Sequence, residues 1–99
     1  MATVNFNLTS MVKVKRLILD VLKPHQPNGL EFATSLAEQS PDCYIKFSVV
    51  EVDEQTESVI LTIDGEDIQF NIISEAISAM GGTVHSIDEV EVIGGHDTV

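Results

Sequence analysis

Along the chain, apolar residues alternate, then recur in helical steps, then alternate again, and the cycle runs twice. Val12 to Lys23 is rich in β-branched and apolar residues and stops at Pro24, which cannot donate into a sheet ladder, so a first strand ends there. Pro24-His25-Gln26-Pro27-Asn28-Gly29 reads as a rigid loop. Asn28 is placed to cap a helix whose apolar residues Leu30, Phe32, Ala33, Leu36 and Ala37 recur at helical spacing, and Ser40-Pro41-Asp42 ends it. Cys43 to Glu54 predicts a strand, with Ile45, Phe47 and Val49 on one side. A polar turn follows at Glu54-Gln55-Thr56. Glu57 to Asp64 completes a hairpin, with Val59, Leu61 and Ile63 on one side and Ser58, Ile60 and Thr62 on the other. A second helix carries Ile72, Ile73, Ala76, Ile77 and Met80, with Asp67 or Asn71 as its cap and Gly81-Gly82 as its terminator. Thr83 to Ile93 supplies the last strand.

The order is β-α-β-β-α-β, the split βαβ pattern of a ferredoxin-like α+β sandwich. Right-handed crossovers put both helices on one face of an antiparallel sheet ordered 4-1-3-2. Residues 12–93 form the domain, 94–99 a flexible tail and 1–11 an N-terminal extension. In that extension Val4, Phe6 and Leu8 alternate with polar residues, so it reads either as an extra strand or as a segment without fixed structure.

This layout leaves one sheet face bare. Leu17, Leu19 and Val21 should lie under the helices with Val59, Leu61 and Ile63. Arg16, Ile18, Asp20 and Leu22 should show on the other face beside Ser58, Ile60 and Thr62. Ile18, Leu22 and Ile60 then form an exposed apolar strip, and burying three such chains is worth on the order of 5 kcal/mol. Self-association is the expected outcome.

Composition narrows the partners. The formal charge is −11 with only five basic residues, which argues against nucleic acid. Lys13, Lys15 and Arg16 could hold one anion or simply decorate a strand end. No run approaches the ~18 apolar residues of a membrane span, and the N-terminus lacks the order of a signal peptide. The single cysteine, Cys43, suits a reducing, cytoplasmic setting and is expected to be a buried, inert thiol.

Strand direction brings Asp20, Lys23 and His25 to the same sheet end as Asp53, Glu54, Glu57 and His85, with the start of the first helix pointing there. This end is the first guess for a ligand pocket. Asp20 could orient His85 as a general base, yet no nucleophile motif or glycine-rich phosphate loop accompanies them. His25, between two prolines, is expected to face solvent unless a neighbouring subunit covers it. Glu51, Asp53, Glu54 and Glu57 around one turn could collect Ca²⁺ or Mg²⁺, although their spacing does not match the calcium loop. No cofactor is otherwise expected. The run Asp88-Glu89-Val90-Glu91 reads as an exposed edge whose charges discourage aggregation.

The strings Arg16-Leu17-Ile18-Leu19-Asp20-Val21-Leu22-Lys23-Pro24-His25 and Gly81-Gly82-Thr83-Val84-His85-Ser86-Ile87-Asp88-Glu89-Val90 resemble the mostly archaeal domain-of-unknown-function family 211. The stretch Val52 to Val59 followed by Ile63-Asp64-Gly65 is also similar to it. The resemblance covers roughly residues 12–93. It implies a ferredoxin-like fold and ring-like homo-oligomers, and no activity. Its strings contain Asp20, Lys23, His25, His85 and Asp88, which become the ligand-binding candidates. The expectation is a non-catalytic homo-oligomeric module binding a small ligand or ion at a subunit interface. The alternatives are a divalent-cation protein and an acid–base enzyme using His and Asp.

Overall fold

A computed structural model describes residues 12–95 of the chain, so the reading of residues 1–10 as a strand, and His96, lie outside the described residues. The elements are β1 (Lys13–Pro24), α1 (Gly29–Gln39), β2 (Tyr44–Val52), β3 (Thr56–Asp64), α2 (Phe70–Ala79) and β4 (Thr83–Ile93). The strands form one sheet in the order β2-β3-β1-β4, with every neighbouring pair antiparallel. This is the expected ferredoxin-like α+β sandwich.

The strand period of two decides the core. Leu17, Leu19 and Val21 face Ile63, Leu61 and Val59 across the β1–β3 register, and all six are buried. Phe32 and Leu36 of α1 and Ile73, Ala76 and Ile77 of α2 close over them. Phe32 also meets the Phe47 ring at 5.9 Å in a tilted arrangement. Residues of opposite parity, Arg16, Ile18, Asp20 and Leu22, pair with Asp64, Thr62, Ile60 and Ser58 on the face without helices. Ile18 and Ile60 are half-buried there and Leu22 is exposed.

Each helix start has a local cause. Asn28 caps α1 through a full capping box: its side-chain oxygen accepts from the Glu31 N–H, and Glu31 Oε1 accepts from the Asn28 N–H. The expected side-chain cap on α2 is absent. Gln69 holds that position, neither Asp67 nor Asn71 does, and no side chain caps it. Backbone bonds anchor the entry instead, with Gly65 N–H donating to Lys15 O at 3.0 Å and Ile68 N–H to Val14 O at 2.9 Å. Ile68 is buried, which fixes the approach of the chain without a cap. The glycine stop is as expected: Gly81 N–H donates to Ser78 O, Gly82 N–H donates to Ile77 O, and Gly81 has φ +84°.

Simple alternation misses the bulges. The β1–β4 register shifts between Val14 and Arg16, between Ile18 and Leu19, and between Asp20 and Val21. Ile87, Val90 and Val92 consequently pair with Leu19, Leu17 and Val14 on the helix-bearing side. They nevertheless stay 50%, 51% and 55% exposed.

Candidate functional site

The end of β1 divides its polar residues by parity. Lys23 points to the helix side, where its side chain is fully buried. Its Nζ donates to Pro24 O at 2.7 Å and to Glu57 Oε1 at 3.2 Å, and sits 5.8 Å from the centre of the Phe32 ring. A buried ammonium requires such partners. Glu57 stands directly opposite in the β1–β3 register, so the pairing follows from strand geometry alone. The other carboxylate oxygen of Glu57 lies 3.0 Å from His25 Nδ1, and His25 Nε2 lies 3.0 Å from Glu54 O. The His25 bond, and then Lys23, hold the Glu57 carboxyl below its ordinary value against some desolvation. Glu57, and then the Glu54 carbonyl, raise the His25 imidazole above its own.

Asp20 points to the bare face. Its Oδ2 lies 3.6 Å from His85 Nδ1, and these two residues with Leu22 and Ser58 line a cavity of about 300 Å³. Asp88 is engaged nearby, accepting from Ser86 Oγ at 2.7 Å.

The single polar rim expected from strand direction is therefore two sites, separated by the sheet. Lys23, His25 and Glu57 share the helix side, and Asp20 and His85 share the other. His25 keeps 40% of its side chain exposed, as expected of a solvent-facing ring, yet Glu57 and Glu54 contact both of its nitrogens within the same chain. Glu54 contributes a main-chain carbonyl, and Asp53 closes the hairpin by donating its N–H to Thr56 O at 2.8 Å. Glu57 is committed to cations, and among the described residues no group of three or more His, Cys, Asp or Glu is placed to hold a metal ion.

The basic cluster near the start of β1 is dispersed as well. Lys15 Nζ pairs with Glu66 at 2.8 Å, while Arg16 bridges Asp64 at 3.2 Å and Glu89 at 3.0 Å. Cys43 is half-buried against the core, and burial, then Asp42, push its thiol up, which keeps it protonated. It borders a second cavity, of about 200 Å³, between the end of α1 and the start of α2. Sequence reasoning did not foresee Ser58 as a cavity wall or the exposed row of Ile87, Val90 and Val92. Parity signalled the first, while the bulges obscured the second.

Among the described residues no helix is long and apolar enough to cross a membrane. Comparison with known families matches residues 15–99 to domain-of-unknown-function family 211, described as uncharacterized ArCR. A protein of Methanocaldococcus jannaschii, itself named only as uncharacterized, is 43% identical over 77 residues, covering 78% of this chain and 79% of that one.

Proposed function

Since this chain belongs to domain-of-unknown-function family 211, the uncharacterized ArCR proteins, we propose a function from its surfaces: a non-catalytic homo-oligomeric module that holds a small ligand or ion between subunits. Copies join head to tail. The bare face of β1 and β3 in one copy receives the β4 row of the next, which closes the Asp20–His85 cavity. A lone cysteine suits a cytoplasmic, reducing setting for such a protein.

The observation that carries this reading is apolar surface left on both sides of the β1–β4 pair. Leu22 is 42% exposed on the bare side, with Ile18 and Ile60 beside it, and Ile87, Val90 and Val92 are about half exposed on the other. A ring needs two different patches that meet, and these two differ in residues and lie on opposite sides of the sheet. Asp20, His85 and Ser58 supply the polar groups that a mostly apolar interface site needs for orientation.

Size-exclusion chromatography with light scattering tests the assembly. Several copies per particle at micromolar concentration are expected, and a clean monomer would sink the reading. Calorimetry of the assembled protein with Ca²⁺ and with Mg²⁺ then separates an ion from an organic ligand. The 3.6 Å approach of Asp20 to His85 also supports a second reading, acid–base catalysis with His85 as the proton carrier. It requires turnover that His85→Ala abolishes without changing the assembly.

A further inference from the structure

Both ring nitrogens of His25 face acceptors. Nδ1 is 3.0 Å from a carboxylate oxygen of Glu57, and Nε2 is 3.0 Å from the main-chain oxygen of Glu54. Neither acceptor has a proton to give: a carbonyl never does, and Glu57 is ionised against the ammonium of Lys23. A neutral imidazole carries one N–H, so it would turn a lone pair toward one of these oxygens. Only the doubly protonated ring satisfies both contacts.

We infer that His25 is a protonation-dependent latch, which as imidazolium ties the β1–α1 loop to the β2–β3 turn and as neutral imidazole lets one of the two go. Loss of a proton from Nε2 leaves the Glu57 bond and sets a lone pair against Glu54 O, freeing the turn. The surroundings agree. From β3 the charged neighbour is Glu57; from β1 it is Lys23, acting through Glu57; from the turn, the Glu54 and Asp53 carbonyls face the ring. Helix α1 presents the Phe32 ring to Lys23, and its first-turn acid, Glu31, is bonded to the Asn28 N–H. The Glu57 carboxylate and the turn carbonyls favour the cationic ring and outweigh its desolvation. The Lys23 ammonium is a like charge that Glu57 offsets, so the latch opens on the alkaline side of an ordinary histidine.

The latch also touches the other site. Lys23 and Glu57 follow Leu22 and precede Ser58 in their strands, and Leu22 and Ser58 wall the cavity on the reverse of the sheet. The inference does not depend on assembly.

Nuclear magnetic resonance of the labelled wild-type protein tests it, following the His25 nitrogens and the Glu54 carbonyl carbon from about pH 5 to about pH 9. Both nitrogens should carry protons at about pH 6, with a midpoint above 6.5, the ordinary histidine value. The Glu54 carbonyl resonance should move with the same midpoint, and Glu57→Gln should lower that midpoint. A His25 ring with one protonated nitrogen at pH 6, or a Glu54 resonance indifferent to its titration, would overturn the latch. Because the wild-type titration decides the outcome alone, a poorly folded variant cannot leave the question open.

Discussion

Lys23 and Glu57 stand opposite each other on β1 and β3 with 3.2 Å between ammonium and carboxylate, and no part of the lysine side chain reaches solvent. The pair is built as the core is built, by two residues of matching parity on neighbouring strands. Its aliphatic stem lies within the layer that Phe32 covers, so it contributes packing as well as charge.

Lys23→Ala should lower the unfolding free energy by about 3 kcal/mol, the lower end for breaking a buried pair, because Glu57 retains some exposure and its bond to His25. His85→Ala should change it by no more than about 0.5 kcal/mol, since that ring is 77% exposed and 3.6 Å from its nearest carboxylate. Urea denaturation of the two variants makes the comparison. Equal effects would mean that the buried cluster is not the structural centre of this end of the sheet.

The contrast also shows what could be read from the residues in order. Alternation places Leu17, Leu19 and Val21 under the helices and Ile18, Asp20 and Leu22 away from them, and the structure agrees because one slip would expose the whole core. The same alternation assigns Lys23 to the helix side. Grouping residues by the end of the strand, without regard to side, merged Lys23 with Asp20 into one rim. The bulges on β1–β4 are a different matter. They add a residue once on β1, at Lys15, and twice on β4, at Asp88 and His85, and no glycine marks any of these places. Helix ends were legible where side chains make the cap, as at Asn28, and illegible where backbone bonds and buried Ile68 do the same work before α2.

Stability should depend on pH through Glu57 and His25 in opposite senses. The folded protein holds the Glu57 carboxyl below its ordinary value of 4.5, so its stabilising effect is complete above that pH and fades as the pH falls through the depressed value. The His25 imidazole is held above 6.5, so its effect is complete below that pH and fades as the pH rises through the elevated value. The contribution of this cluster therefore peaks between pH 4.5 and pH 6.5. Urea midpoints across the pH range should show a dome that Glu57→Gln flattens on both limbs. An unchanged profile in that variant would remove both groups from the account.

Gly81 tests the end of α2. Its φ of +84° lies in the left-handed region, and a Cβ there would sit 3.2 Å from Pro24 Cγ. Gly81→Ala should cost about 1 to 2 kcal/mol, and Gly81→Asn less, because asparagine tolerates that backbone. Thermal unfolding of both variants checks the order. An alanine as stable as the parent would show that the helix can end without a left-handed residue.

The head-to-tail assembly makes a demand that a symmetric dimer does not. Ile18, Leu22 and Ile60 form one patch, and Ile87, Val90 and Val92 form the other, on opposite sides of the sheet. Completing the burial of six side chains already partly covered is worth roughly 1 kcal/mol each, about 6 kcal/mol per interface before the cost of association. A buried aspartate at the centre of either patch should remove most of that. Leu22→Asp and Val90→Asp each lie at exposed positions that folding tolerates, and each should give monomers alone. Mixed, they should form dimers, because the intact β4 row of the first fits the intact bare face of the second and no further copy can add. An isologous interface uses one patch twice, so one variant would stay assembled and the mixture would gain nothing. Light scattering of the two variants, separately and together, distinguishes these arrangements, and a mixture that remains monomeric would discard the head-to-tail scheme.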